Sequence, residues 1–159
     1  PALHKAKRTY DSVCIYTVTD KQMQISSFDP ITLQIPGTYQ IDAEHYIELK
    51  LEDCEKNRNI EVKTYTKCFD YDKIKNSLLL RNRDKGDFFS VNDRNDHQTV
   101  KAYCINQKIP KEDRDHLLLI ADDAHVLWII GYRISEYYKV TNETNRILKI
   151  QVYGGRYNE

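Results

Sequence analysis

Leu78-Leu79-Leu80-Arg81-Asn82-Arg83-Asp84-Lys85-Gly86-Asp87 is the stretch on which the reading of this chain turns. As a strand it alternates faces at every residue, so Leu78, Leu80 and Asn82 share one side and Leu79, Arg81 and Arg83 the other. Two arginines at i and i+2 on a strand stand about 6 to 7 Å apart, close to the spacing of successive phosphates along a nucleic-acid strand. Asp84 to Asp87 then reads as a tight turn, with Gly86 supplying the positive φ that a Cβ resists. The competing reading keeps both guanidinium groups paired with Asp84, Asp87 or a neighbouring carboxylate.

Toward the C-terminus, the polar segment from Ser90 to Gln98 lacks periodicity and reads as an exposed, mobile loop. Thr99 is placed to cap a helix running through Ile109, with Val100, Tyr103, Cys104 and Gln107 on one stripe. Lys101 and Lys108, seven residues apart, would share a helical face. Pro110 stops the helix, and Lys111 and Arg114 carry the basic surface past its end. The runs Leu117 to Ala121 and Val126 to Ile130 predict two buried strands around a short turn, with Trp128 in the core. Asp122, Asp123 and His125 at that turn can be drawn as a metal or acid/base group, but an Asp-rich hairpin tip is the commoner use of such residues. Gly131-Tyr132-Arg133 continues the second strand and adds a cation, Tyr138-Lys139-Val140 adds another, and Arg146 to Tyr153 alternates as a last strand.

Toward the N-terminus, Tyr46 to Glu52 and Ile60 to Thr66 both alternate, and the polar Asp53 to Asn59 between them predicts an antiparallel hairpin. Lys50, Lys63 and Lys67 would face Glu48, Glu52 and Glu61 across it as routine exposed pairs. Phe69-Asp70-Tyr71-Asp72-Lys73 carries two core anchors, Phe69 and Tyr71, and joins this hairpin to the strand at Leu78. Ile31 to Ile35 is a strand, Pro36-Gly37 a turn and Tyr39 to Ile41 a second short strand. Val13 to Val18 has strand composition, whereas the basic run Lys5 to Arg8 reads as the end of a linker or helix. The expected fold is α+β, dominated by mostly antiparallel strands with one or two short helices. Residues 1–75 would form a linker plus β-hairpin lobe and residues 76–159 a second domain.

The net charge is zero and neither half departs far from neutrality, so any nucleic-acid contact must rest on a local patch. Cys14, Cys54, Cys68 and Cys104 are scattered without a Cys-x-x-Cys pair, which argues against a zinc site or disulfide framework and suits the cytosol. The chain starts Pro1-Ala2-Leu3, with no signal region and no apolar run long enough for a membrane, and reads as a piece of a longer cytosolic protein.

In order, Leu-Arg-Asn-Arg from Leu80, Gly86-Asp87, Lys108-Ile109-Pro110, Arg114-Asp115, Trp128 followed by Gly131-Tyr132-Arg133-Ile134-Ser135, and Tyr138-Lys139-Val140 resemble the C-terminal region of bacterial tRNA(Ile)-lysidine synthetases. The similarity is densest from Phe69 to Ile150. That resemblance implies an ATP-dependent ligase that attaches lysine to the wobble cytidine of an isoleucine tRNA. Its catalysis would belong to a separate N-terminal domain, because the Ser-Gly-Gly-x-Asp-Ser phosphate loop of the family is missing here. This part would carry no catalytic or metal-binding residue and no cofactor of its own, ATP and lysine being used by the catalytic domain. It would grip the acceptor stem of the tRNA, in the cytoplasm, through Arg81, Arg83, Lys101, Lys108, Arg114, Arg133 and Lys139 acting on phosphate and ribose groups.

The pattern departs from the family where Gln98 and Thr99 replace two successive lysines, where Leu118 replaces a proline and where Asp123 replaces a glycine. A rival reading makes the chain a packing or homodimerisation module whose cations are solvated or internally paired. A third makes it a small metal-dependent hydrolase built on Asp122, Asp123 and His125.

Overall fold

The computed structural model describes residues 27–55, 60 and 63–154, together with the backbone of residues 4–9 and 12–17. In chain order the elements are β1 (His4–Thr9), β2 (Ser12–Thr17), β3 (Ile31–Leu33), β4 (Gly37–Gln40), β5 (Tyr46–Asp53), β6 (Thr66–Asp70) and β7 (Leu78–Asn82). They continue with β8 (Phe88–Ser90), β9 (His97–Thr99), α1 (Val100–Asn106), α2 (Lys111–Arg114), β10 (Leu118–Asp122), β11 (His125–Ile129), β12 (Arg133–Ile134) and β13 (Arg146–Tyr153). The strand-dominated α+β class expected from the sequence is the one observed. No helix among the described residues is long and apolar enough to cross a membrane.

The described strands form three sheets. β1 pairs with β2, so the basic run Lys5 to Arg8 is strand, not the linker or helix end that its charge suggests. A seven-stranded sheet runs β3-β7-β10-β11-β8-β9, with β12 also on β11, and is antiparallel except where β8 meets β11. A four-stranded sheet runs β4-β5-β13-β6. Residue 75 therefore separates strands that share sheets: β3 lies on β7, and β13 lies between β5 and β6.

The last strand corrects the expected hairpin. β5 pairs with β13 along its whole length, from Tyr46 opposite Tyr153 to Asp53 opposite Arg146, and the strand next in sequence, β6, lies on the far side of β13. Residues 56–59 and 61–62, including Glu61 of the expected charge ladder, lie outside the described residues. Lys50 pairs within its own strand, with Glu48 at 3.0 Å. β13 wins the central place because it is buried at every apolar position, with Ile147, Leu148, Ile150 and Val152 all at or below 4% exposure, whereas residues 60–66 offer alternation without that bulk.

β10 explains how the sheet holds two cores. Leu118 and Ile120 face one cluster with Leu78, Leu80, Ile47, Leu148 and Trp128, while Leu119 and Ala121 face another with Phe89, Val100, Tyr103, Cys104 and Val126. A strand covered on both sides needs apolar residues at every position, which is why Leu117 to Ala121 reads as an unbroken run. α1 covers the second face. Thr99 caps it, its Oγ1 accepting from the Ala102 N–H at 3.1 Å, and the Val100 N–H donates to the Asp87 carbonyl.

Five local expectations change. Helix α1 ends at Asn106, not Ile109: Lys108 takes φ +54°, its N–H donates to the Ile105 carbonyl and the Ile109 N–H donates to the Cys104 carbonyl, a left-handed helix stop. Lys101 and Lys108 thus do not share a helical face, and Gln107 is exposed rather than on the buried stripe. Residues 90–98 form a β8–β9 hairpin, not an irregular loop: residues 93–97 are exposed as expected, but Ser90 is buried and the Asn92 side chain accepts from the N–H groups of Arg94 and Asp96. Gly131, at φ +84°, turns the chain back, so Arg133 begins an antiparallel strand on β11 instead of continuing it.

Candidate nucleic-acid interface

The seven cations singled out by the sequence do not form one row. Arg81 is turned inward: its two terminal nitrogens each donate to a different carboxylate oxygen of Asp87 at 2.8 Å, and further bonds reach the carbonyls of Asn82 and Asp123. The Arg81 and Asp87 side chains are 12% and 2% exposed. Hydrogen bonding to Asp87 outweighs burial and pushes the guanidinium further into its charged form. Asp87 also accepts from the Asp84 N–H at 2.7 Å, so the pair closes the turn that Gly86, at φ +88°, permits.

Arg83 and Arg114 both lie within electrostatic reach of Cys104 on α1. Arg83 pairs with Asp115, the residue after Arg114, and the Arg114 Nε–H donates to the carbonyl of Ile109 at 2.8 Å. Both guanidinium groups lie near enough to Cys104 to oppose the burial that pushes its thiol pKa up. Carbonyls at a helix C-terminus draw cations, which places Lys108 in the same electrostatic setting. Lys101 is exposed on the first turn of α1, away from that end.

Arg133 and Lys139 line a groove of about 630 Å³ together with Lys67, Tyr103, Gln107 and Glu136. Arg133 lies over the Phe89 ring, 4.8 Å from its centroid, which fixes the guanidinium plane. Lys139 ion-pairs with Glu136 at 3.2 Å, and its backbone bridges to Phe69. Tyr103 stands edge-on to the same Phe89 ring at 5.4 Å, and burial raises its hydroxyl pKa with Arg133 acting against it. Ile60, Cys68, Ile134 and Val140 make much of the groove's floor apolar, and the ammonium and guanidinium donors, the phenol and the amide set along it are groups that suit phosphates and ribose hydroxyls.

Tyr132 is 48% exposed, and partial burial of its hydroxyl, with the Asp113 carboxylate adding to it, raises its pKa. Sequence reasoning gave Tyr103 and Gln107 to a helical stripe, Lys67 to a charge ladder and Tyr132 to a continued strand, and none of them to this surface. The one signal for Tyr132 was its place after Gly131, where a reversed backbone turns a large ring to solvent. The Asp122 carboxylate, drawn from the sequence as a metal or acid/base group, instead accepts the N–H groups of Lys75 and Asn76 at 2.9 Å each and the Tyr138 hydroxyl at 3.1 Å. Asp123 takes φ +56°, the left-handed conformation that among residues with a Cβ Asn and Asp adopt most readily. No group of three metal-ligating side chains occurs among the described residues.

Comparison with known proteins follows the same outline. Residues 78–152 match the family described as "TilS substrate C-terminal domain". The chain is 34% identical over 119 residues to the tRNA(Ile)-lysidine synthase of Caldanaerobacter subterraneus subsp. tengcongensis, covering 75% of this chain and 26% of that protein. It is 42% identical over 95 residues to the tRNA(Ile)-lysidine synthase of Clostridium tetani, covering 60% of this chain and 20% of that protein. The chain thus spans about a quarter or less of the length of these relatives. A crystal structure of a TilS C-terminal domain shares the fold, with a TM-score of 0.64 and 19% identity over 79% of this chain and 96% of that one.

Proposed function

Residues 78–152 belong to the TilS C-terminal domain family, and on that premise we propose that this chain is the tRNA-gripping part of a tRNA(Ile)-lysidine synthetase. The parent would be an ATP-dependent carbon–nitrogen ligase acting in the cytoplasm, with ATP and lysine handled by an N-terminal catalytic domain. This chain performs no chemistry and holds the acceptor stem so that the distant anticodon reaches the active site.

The observation that carries the reading is the groove in which Arg133 and Lys139 face Tyr103 and Gln107. Ammonium and guanidinium groups fixed on a folded wall satisfy phosphates, and the neighbouring phenol and amide suit 2′-hydroxyls, so A-form RNA is held by backbone and shape. Arg83, Arg114 and Lys108 extend the grip to the end of α1, and Lys101 serves at its start. Arg81 contributes by fixing the turn through Asp87. Thr99, where the family has a lysine, caps α1 instead of contacting a phosphate.

Titration of this chain with two RNA hairpins tests the reading, one copying the acceptor stem of an isoleucine tRNA and the other its anticodon arm. Tighter binding of the acceptor-stem hairpin is expected. Equal affinity for the two would remove the acceptor stem as the target, and no binding by either at low salt would favour a packing module.

A further inference from the structure

We propose that a second, separate cavity on this chain, between the β10–β11 turn and the β8–β9 hairpin, binds one unpaired nucleotide of an RNA single strand. The cavity measures about 280 Å³, just below the roughly 300–1,000 Å³ of drug-sized ligand sites, which suits a single ring system.

Its walls are aromatic to a degree that core packing does not require. Phe88 stacks on His125 with ring centroids 4.7 Å apart and meets His97 at a tilt, 4.5 Å away, and Tyr137 and Tyr138 pack on His125 at a tilt, at 5.1 and 4.7 Å. His97 is exposed, so its ring offers a face to solvent at the edge of the stack. Stacked aromatic faces that end at an open cavity are what single-strand binders use to hold bases, since every base has a π-face. His125 supports the wall as an uncharged ring: burial is the main cause of a pKa lowered to about 4, with His97 and Lys75 adding to it and Asp122 opposing it. Its Nε2 is held by Ser135 at 3.1 Å and Ser90 at 3.3 Å.

The charge at the rim selects the kind of nucleotide. Lys75 is exposed at the mouth, with its backbone N–H anchored by Asp122, and Lys73 lies 5.7 Å from the centroid of the Tyr137 ring. Against these two ammonium groups stand Asp70, 3.9 Å from the Lys73 Nζ, the buried Asp122, already taken up by three donors, and the exposed Asp123. So balanced a rim tolerates the single charge of a phosphodiester and disfavours the several charges of a triphosphate. The fitting ligand is therefore a linked nucleotide of an RNA strand in preference to free ATP.

The test is a four-nucleotide single-stranded RNA carrying 2-aminopurine, titrated into this chain while fluorescence and the imidazole proton resonances of His97 and His125 are followed. Quenching from stacking is expected, together with ring-current shifts of both histidines. Affinity should fall about tenfold in His97→Ala and in Lys75→Ala, as for removal of one stacking or phosphate interaction, and stay unchanged in Lys85→Ala. ATP should compete less well than the tetranucleotide. Absence of quenching and of imidazole shifts in the wild-type chain would overturn the proposal, as would equal loss in all three variants or stronger competition by ATP. Duplex RNA that binds while the tetranucleotide does not would also overturn it and would leave the grip on the acceptor stem standing.

Discussion

Arg81 holds both carboxylate oxygens of Asp87 at 2.8 Å in a pair almost closed to water. The arginine that reads from the sequence as the first phosphate contact is thus a clamp inside the fold. It ties β7 to the turn before β8, whose carbonyl at Asp87 in turn receives the first N–H of α1.

Breaking one side of that clamp leaves the other charge buried and unpaired. Arg81→Ala should destabilise the chain by about 3 to 5 kcal/mol, and Arg81→Lys should recover little, because an ammonium cannot reproduce the two parallel bonds. Urea unfolding measures both. A shift below about 1 kcal/mol for Arg81→Ala would mean that the pair is open to solvent.

Lys108 carries two demands that pull apart. At φ +54° a residue with a Cβ is strained, so Lys108→Gly should raise stability by about 0.5 to 1 kcal/mol. The same change removes a proposed phosphate contact and should lower the salt dependence of RNA binding by about one unit of slope. Thermal unfolding and a salt titration on the same variant check both effects.

His125 makes stability depend on pH. Its pKa is depressed in the folded state, to about 4 from the ordinary 6.5, mainly by burial. Between those values the unfolded chain binds the proton and the folded chain does not, so the contribution is full above pH 6.5 and is lost as pH falls toward 4. The loss should be on the order of 2 kcal/mol. His125→Phe carries no such proton, so the stability gap between wild type and variant should narrow from pH 7 to pH 4.5 in denaturant melts. A gap that stays constant would show that the imidazole titrates normally.

Much of this fold is written locally. β10 and β11 announce themselves as unbroken apolar runs because both of their faces are covered, and Gly86 marks its turn because only that conformation closes the Arg81–Asp87 loop. The pairing of β5 was not legible, because its partner β13 lies about a hundred residues away and alternation states which face is buried without saying against what. The end of α1 was hidden for a related reason: its left-handed stop is occupied by Lys108, where glycine is the usual mark. The site was legible as a list of cations and not as an arrangement. Spacing cannot tell Arg81, which has a buried carboxylate within reach, from Arg133, which lies over Phe89 at the edge of a groove.

The central claim is that Arg133 and Lys139 grip RNA, and a salt series with an isoleucine tRNA tests it most directly, comparing the wild-type chain with the double variant Arg133→Ala, Lys139→Ala. The expected result is weaker binding at every salt concentration and a log–log slope shallower by about two, one unit for each phosphate no longer neutralised, with the fold kept and stability lowered by no more than about 1 to 2 kcal/mol through loss of the Phe89 and Glu136 contacts. An unchanged slope and affinity in the folded double variant would contradict the account and turn these cations into ordinary surface charge.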